Sequence, residues 1–320
     1  MERKQLGSTD LFVTPICFGA SGLGNMPDTY GYEVDDARAE ATLQAIFHGP
    51  VNFLDTSNNY GFGRSEARIG TAIRNNGGLP DGFVLSTKVD RDMETGRFDA
   101  ARVRQSIEES LTRLGLDKVP LLHLHDPEHA RDLTEITCDG GALDELFRLK
   151  EEGIAQAVGL AMGRVDLMEP ILLGYSFDAL ISHNRWTLLN RSADSMFNKA
   201  QERGIAILNA APYAGGVLAK GSNETHRVTY QPVTDRALAP VHAIEEVCIR
   251  YGVPMGAVAL QFSMHDTRIA STIVGVSKPD RVSQTLSWAR EEIPESCLRE
   301  ISQLSFSLED PEADRDYKPG

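Results

Sequence analysis

The chain has 320 residues, of which 41% are hydrophobic and 24% are charged, values close to those of ordinary globular proteins. This composition excludes a disordered chain, and no apolar run approaches the ~20 residues of a membrane span. A formal net charge of −14 argues against nucleic acid and anionic membranes as partners.

The first residues and the cysteines favour the cytoplasm. Residues 1–5 are charged and lead into no apolar signal core, so we expect a cytoplasmic protein. The cysteines lie far apart without metal-ligand spacing, which favours reduced thiols over disulfides and predicts no metal site. They are Cys17, Cys138, Cys248 and Cys297.

Short apolar runs alternate with longer amphipathic segments, after residues 3–13, which predict a short N-terminal hairpin. The strands are aliphatic and mostly lack polar alternation, as expected of a parallel sheet buried on both faces. In chain order the predicted strands are residues 16–20, 52–55, 83–88, 121–125, 155–160, 179–183, 206–210 and 270–274. The predicted helices are residues 35–48, 65–74, 99–114, 141–152, 165–173, 192–203, 235–251 and 279–289.

These repeated strand–helix units favour an α/β fold, a (β/α)8 TIM barrel with an N-terminal hairpin, over an open doubly wound sheet. No Pro-, Ser- or Gly-rich linker divides the units, so residues 1–308 are predicted to form a single domain. Residues 309–320 are charged and contain proline, and we expect a mobile C-terminal tail there.

Three consecutive predicted strands end in ionisable side chains. They close on Asp55, Lys88 and His125, and Tyr60 follows the first of them. Each residue alone is most often a cap, a turn residue or a side chain that reaches solvent. Because barrels gather the C-terminal strand ends at one rim, the four together indicate a catalytic site. His123 faces the same way one layer deeper, and we interpret it as a hydrogen-bonded interior histidine.

The patterns Asp-Thr-x-x-x-Tyr-Gly from Asp55, Ser-Thr-Lys up to Lys88 and His-Asp-Pro from His125 resemble the active-site tetrad of the aldo-keto reductase superfamily. This resemblance covers almost the whole chain. It implies that Tyr60 exchanges a proton with the reacting oxygen and that Lys88 lowers the pKa of this phenol. Asp55 then keeps the lysine charged, and His125 polarises the carbonyl as a neutral donor.

The resemblance also implies a nicotinamide cofactor, NAD or NADP, bound without a Gly-x-Gly-x-x-Gly turn after a strand. The positions matching the nicotinamide ribose site are Gly19, Ala20 and Asp55. Those in the loop expected at the pyrophosphate are Pro212, Tyr213, Gly215, Gly216 and Leu218, a stretch that otherwise reads equally well as an ordinary turn. Those expected at the adenosine phosphate, near a helix start, are Gly275, Val276, Ser277, Lys278 and Arg281.

Two departures from the family pattern affect the adenosine end. Gly275 replaces the lysine of many NADPH-specific members, and Thr285 replaces an asparagine one turn into the following helix. Loss of a charge-assisted contact to the 2′-phosphate should weaken NADPH binding by about 1.5–3 kcal/mol. The sequence therefore favours NAD, or the use of both cofactors. Lys278 could compensate in part.

Two more departures affect the nicotinamide. Alanine and methionine at 161 and 162 replace a Ser-Asn pair, and Ala210 replaces an aromatic residue. We expect His183 to contact the nicotinamide amide. Tyr213 or Trp186 could shield the ring, although either could equally be simple pocket lining.

The loop from Asn209 to Leu218, together with His125 and Asp126, resembles the branch that contains aldose 1-dehydrogenases, to which pyridoxal 4-dehydrogenase is also similar. That branch implies oxidation of a cyclic hemiacetal to a lactone, with Tyr60 as general base. Either a sugar or a pyridoxal-type molecule fits this chemistry.

Candidate sugar contacts are Asn58, Asn59, Asp126 and Arg185, and candidate aromatic walls for pyridoxal are Tyr60, Phe62, Trp186 and Tyr213. We assign Asn59, Asp126 and Trp186 to the substrate. A non-catalytic, cofactor-binding regulatory subunit is a remote alternative, because such a protein would be free to lose the catalytic residues. The oligomeric state is left open.

Overall fold

Eight parallel strands form a closed barrel in the computed structural model, which describes residues 1–313 and 315. The barrel strands are β3 (Ile16–Gly19), β4 (Phe53–Asp55), β5 (Val84–Val89), β6 (Val119–His125), β7 (Ala155–Ala161), β8 (Ala179–His183), β9 (Ala206–Ala210) and β12 (Ile269–Gly275). Two hairpins contribute β1 (Lys4–Gln5), β2 (Phe12–Val13), β10 (Arg227–Val228) and β11 (Gln231–Pro232). The predicted TIM barrel is confirmed, and the open-sheet alternative is wrong.

Helices surround the barrel between its strands. They are α1 (Pro27–Tyr30), α2 (Asp36–Phe47), α3 (Arg64–Asn75), α4 (Ala100–Leu114), α5 (Thr134–Thr137), α6 (Ala142–Glu151), α7 (Val165–Gly174), α8 (Asp194–Glu202), α9 (Val217–Lys220), α10 (Asp235–Tyr251), α11 (Met255–Met264), α12 (Pro279–Trp288) and α13 (Glu295–Ser302). None of these helices, within the part of the chain that the structure describes, is long and apolar enough to cross a bilayer.

Capping residues explain where the predicted helices begin and end. The carboxylates of Asp35 and Asp99 accept hydrogen bonds from the backbone N–H groups of Arg38 (2.8 Å) and Arg102 (2.9 Å), at the starts of α2 and α4. Helix α4 ends at Gly115, whose φ of 70° is readily available only to glycine. These local signals account for the close match with the predicted boundaries.

The N-terminal hairpin closes the bottom of the barrel, as predicted. Strands β1 and β2 pair antiparallel, and Leu6, Leu11 and Val13 are buried against inward-facing residues such as Phe53 and Val84. Burying these side chains excludes water from the N-terminal end of the barrel. The opposite end is left for the functional site.

Parallel pairing brings the C-terminal strand ends to that opposite rim. Asp55 on β4 pairs with Ser86 on β5, and Lys88 on β5 pairs with His123 on β6. His125 therefore lies two residue pairs beyond Lys88 at the same edge.

Five helices and one hairpin were not predicted, and three of these helices, α1, α5 and α9, have only four residues each. Helix α11 packs against β12 and is buried on almost all sides, so it lacks the polar face that reveals a surface helix. Helix α13 packs against α10 through Cys297 and Ile301. The β10–β11 hairpin turns at Thr229 and Tyr230, both with positive φ, where sequence rules lead one to expect Asn or Gly.

Candidate active site

A cavity of about 670 Å³ lies at the C-terminal rim of the barrel and contains most of the predicted site residues. Those that line it are Gly19, Asp55, Asn59, Tyr60, Lys88, His125, Asp126, His183, Pro212, Tyr213, Gly215, Gly216, Gly275, Val276, Ser277, Lys278 and Arg281. Three predicted residues lie behind its wall: Ala20, Leu218 and Trp186.

Lys88 lies at the centre of the catalytic cluster. Its Nζ donates to Asp55 Oδ2 (2.6 Å), to the carbonyl oxygen of Thr56 (2.6 Å) and to Tyr60 Oη (3.2 Å). The side chains of Lys88 and Asp55 are only 2% and 5% exposed, so each charge is stabilised by the other in place of water. Three acceptors match the three protons of an ammonium group, which fixes its orientation. The structure therefore brings together the predicted Asp, Lys and Tyr.

A polar layer beneath the cluster holds Asp55 in place. Ser86 Oγ donates to Asp55 Oδ1 (3.1 Å) and lies 3.2 Å from His123 Nδ1. A Cβ on Gly159 would lie 2.4 Å from the His123 ring, so only glycine leaves room for this histidine. Burial lowers the pKa of His123 well below its usual value, which keeps the ring neutral. His123 thus occupies the interior position that the sequence predicts.

His125 is held by a carboxylate that sequence reasoning missed. Its Nδ1 lies 2.7 Å from Asp90 Oδ1 and 3.0 Å from Ser57 Oγ. Burial alone would lower the pKa of His125, but the carboxylates of Asp126 and Asp90 raise it above its usual value. Asp90 can only accept, so Nδ1 carries a proton, and Nε2 then donates only when the ring is an imidazolium. In this geometry a donor at Nε2 requires the imidazolium, whereas the sequence predicts a neutral ring.

Asp90 also anchors the loop that carries Tyr60. Its Oδ2 accepts from the backbone N–H of Asn59 (2.9 Å) and from the hydroxyl of Ser57. A signal for this residue was present, because Asp90 follows Lys88 by two positions and so projects to the same side of the chain.

The pKa of Tyr60 is raised, opposite to the predicted effect of Lys88. Burial is the largest cause, and the nearby charge of Asp55 adds to it. The hydrogen bond from Lys88 does not outweigh these two effects. The phenol therefore holds its proton at neutral pH, the form that donates, and must ionise before it can accept a proton.

Asn59 and Asp126 present polar atoms beside the catalytic cluster. The buried Oδ1 of Asn59 has no hydrogen-bond partner among the described residues. Asp126 Oδ2 lies 3.6 Å from His125 Nε2, and its backbone adopts the left-handed conformation, with a φ of 43°. Burial would raise the pKa of Asp126, but the histidines around it lower it. The pocket thus offers an ionised acceptor.

Two tyrosines that the sequence did not indicate also line this cavity. Tyr30 and Tyr230 pack edge to face with their ring centroids 6.4 Å apart. Arg227 joins the segments that carry them, donating to the carbonyl oxygens of Asp28 (2.8 Å) and Thr29 (2.6 Å). The partners lie up to 199 residues apart, and no local pattern reveals such a contact.

Trp186 is not a substrate or ring-shielding residue, which corrects that prediction. It stacks on Phe262 at 5.6 Å and packs against Phe197 at 5.9 Å, so it belongs to the core between the barrel and its helices.

Acidic residues of the segment after Ser307 contact the side chains of Arg185 and His183. Arg185 donates to Asp310 Oδ1 (2.6 Å) and to Glu312 Oε1 (2.8 Å), and His183 Nε2 lies 3.1 Å from the same Glu312 oxygen. Arg185 is thereby withdrawn from the predicted sugar contacts, whereas His183 still borders the cavity. The predicted mobility of residues 309–320 stays a prediction, and residues 314 and 316–320 lie outside the described part of the chain.

The groove leading away from the catalytic cluster fits a nicotinamide dinucleotide. A Cβ on Gly19 would lie 3.1 Å from the Ile273 side chain, so this part of the wall leaves little room for a side chain. At the far end Lys278 and Arg281 supply cations at the start of α12, where helix geometry favours an anion. Small residues at one end and cations at the other match a ligand whose phosphates lie away from the reacting ring. Among the described residues, no three His, Cys, Asp or Glu side chains are grouped as metal ligands.

Comparison with known proteins gives a consistent result. The model of the Aldo/keto reductase family matches residues 15–305. The chain is 27% identical to pyridoxal 4-dehydrogenase of Microbacterium luteolum and 28% identical to D-threo-aldose 1-dehydrogenase of a Pseudomonas species, each over 92% of this chain and 94% of the relative. It is 30% identical to L-galactose dehydrogenase of Arabidopsis thaliana, over 91% of this chain and 89% of the relative.

A solved structure shares the fold. The holo form of an aldo-keto reductase from Bacillus halodurans superposes with a TM-score of 0.80 at 22% sequence identity, over 99% of this chain and 100% of the other.

Proposed function

Because the chain belongs to the aldo/keto reductase family and is an NAD(P)-dependent oxidoreductase, we propose that it oxidises the hemiacetal carbon of an aldose to a lactone. In this reaction the C1 hydroxyl loses its proton to Tyr60, the C1–H bond gives up its hydride, and a C1=O bond forms. A bound nicotinamide supplies the hydride acceptor, so no further oxidant is required.

The protein's own residues handle the proton and the developing charge. The hydrogen bond from Lys88 stabilises the phenolate of Tyr60, which is the base in the oxidative direction. His125, charged through Asp90, donates from Nε2 toward the reacting oxygen. The same groups run the reverse reaction with Tyr60 as the acid, the form that it holds at neutral pH.

The observation that carries an aldose over other carbonyl compounds is the polar wall beside Tyr60. The unpartnered Oδ1 of Asn59 and the ionised carboxylate of Asp126 are acceptors suited to sugar hydroxyls. A substrate without hydroxyl groups would leave these acceptors unpaired, at a cost of about 1–3 kcal/mol each.

A pyridoxal hemiacetal is the second candidate, and Tyr30 and Tyr230 favour it. Their rings line the same cavity and could pack against a pyridine ring. Trp186, which the sequence offered for that purpose, is in the core. The balance of acceptors therefore favours the sugar.

The cofactor preference that we propose is NAD or both NAD and NADP. Position 275 is a glycine, so no side chain from this position reaches the 2′-phosphate. The space around it is open, because no atom lies within 4 Å of where a Cβ would be. The cytoplasmic location and the exclusion of nucleic acid stay predictions from composition.

A substrate screen tests the proposal. Reduction of NAD+ and of NADP+ is followed at 340 nm with L-fucose, D-arabinose, L-galactose, D-galactose and pyridoxal, and the lactone product is identified. We expect at least one aldose to exceed pyridoxal in kcat/KM. Preference for pyridoxal would select the second candidate, and no turnover with any of these substrates would leave the regulatory-subunit alternative.

A further inference from the structure

A cation from a distant helix lies at the adenosine end of the groove. Arg38 on α2 lines the cavity, and its guanidinium is bound to the segment after β12. Nε donates to the carbonyl oxygen of Ser277 (2.6 Å) and Nη2 donates to Ser277 Oγ (3.3 Å). Nη1 donates to the carbonyl oxygen of Glu33 (3.3 Å), so three of the five guanidinium protons are used.

The positive charge of Arg38 is not neutralised by the described residues. No carboxylate among residues 1–313 and 315 forms an ion pair with it, and all its partners are uncharged oxygens. Lys278 differs, since it lies 3.7 Å from the exposed Asp280. An arginine fixed by neutral partners, with donors left over, is preorganised for an anionic ligand.

The surroundings of Arg38 form a defined end to the groove. The Tyr32 ring packs beside the guanidinium, with the Cζ of Arg38 5.9 Å from the ring centroid, and Arg281 lines the same end. Burial raises the pKa of Tyr32, so it stays a neutral neighbour. Gly275 adds nothing here, because it has no side chain.

We propose that Arg38 is the specificity-determining cation for the 2′-phosphate of NADP, in place of the side chain missing at Gly275. Arg38 and Arg281 approach the adenosine end from two different elements, so the chain binds NADP as well as NAD. This inference rests on the proposed function only in taking the ligand to be a nicotinamide dinucleotide.

Binding of adenosine fragments tests this assignment without any substrate. Calorimetry measures the Kd of 2′,5′-ADP, which has the 2′-phosphate, and of 5′-AMP, which lacks it. The wild type should bind 2′,5′-ADP at least as tightly as 5′-AMP. Arg38→Gln should raise the Kd of 2′,5′-ADP about tenfold or more and change the Kd of 5′-AMP less than twofold. It should also make 2′,5′-ADP binding less dependent on salt concentration. Arg38→Gln should likewise weaken the binding of NADP+ much more than the binding of NAD+.

Matched variants separate charge from structure. Arg38→Lys keeps the charge and should retain most of the 2′,5′-ADP affinity. Arg74→Gln makes the same substitution at an exposed arginine on α3 and should change neither Kd. Equal weakening of both fragments by Arg38→Gln would show that Arg38 only supports the loop, and no weakening would remove it from the site; either result overturns the proposal. These binding measurements contain no aldose, so a negative result for Arg38 leaves the proposed aldose oxidation unaffected. Likewise, a failed aldose screen leaves the role of Arg38 in cofactor binding unaffected.

Discussion

The catalytic rim and the adenosine end belong to one cavity but are built in different ways. Asp55, Lys88 and His125 lie on adjacent strands whose pairing fixes their relative positions. The contact of Arg38 with Ser277 joins segments 239 residues apart through side-chain and loop geometry. Strand register therefore determines the chemistry, whereas loop packing determines which ligand is recognised. Substitutions at the two ends should have separable effects.

The largest expected effect is at Tyr60. Tyr60→Phe removes the hydroxyl that we propose exchanges the proton, so kcat should fall by about 10²–10⁴-fold or become undetectable. The Kd of NAD+ and NADP+, measured by fluorescence or calorimetry, should stay within about twofold because the phenol acts in the transition state. A kcat near that of the wild type would remove Tyr60 from the mechanism.

Lys88→Met should combine a catalytic loss with a stability loss. The variant leaves Asp55 buried without its partner, which costs about 3–5 kcal/mol, measured as the free energy of unfolding in urea. The Lys88→Met, Asp55→Asn double variant should recover much of this stability but no activity. Loss of the cation also raises the pKa of Tyr60 further, so oxidation should begin at higher pH. A lower rate with an unchanged pH profile would give Lys88 a structural role only.

Asp90→Asn tests whether the charge on His125 matters. The amide keeps the size of the side chain but removes a carboxylate that raises the pKa of the imidazole. The imidazolium should then be lost at a lower pH, and the limb of the pH profile that requires it should move in the same direction. Loss of a hydrogen bond between charged groups, about 1.5–3 kcal/mol, corresponds to a fall in kcat of roughly tenfold to a hundredfold. A pH profile identical to that of the wild type would show that His125 acts as a neutral group.

The smallest expected effect is at the adenosine end. Gly275→Lys is sterically tolerated, because no atom lies within 4 Å of the new Cβ. The added cation should raise the NADP+/NAD+ ratio of kcat/KM by roughly tenfold, or ~1.4 kcal/mol, with NAD+ kinetics almost unchanged. In an Arg38→Gln background the same substitution should restore lost NADP+ affinity. A wild type that already prefers NADP+ strongly would instead show that Arg38 and Arg281 suffice.

The difference between the two ends also explains what could be predicted from the sequence. An apolar run that ends in an ionisable residue is a local signal, so Asp55, Lys88 and His125 were found. Trp186 is predicted as an aromatic wall of the pocket, but the direction of its side chain depends on packing against Phe262.

Arg38, Tyr30, Tyr230 and Glu312 gave no local signal, because their partners are distant in the chain. The sign of the pKa shift of Tyr60 was also missed, because the burial of its hydroxyl becomes visible only in three dimensions.

The most direct test of the central claim is the pH dependence of aldose oxidation. With saturating NAD+ and the best aldose of the screen, log kcat of the wild type should rise with pH until His125 loses its proton, because only the ionised Tyr60 accepts the hydroxyl proton and its pKa is raised by burial. The residual rate of Tyr60→Phe should lack this rising limb, and in Lys88→Met the limb should move to higher pH. A wild-type rate that shows no rising limb at low pH, or the same limb in Tyr60→Phe, would contradict the account.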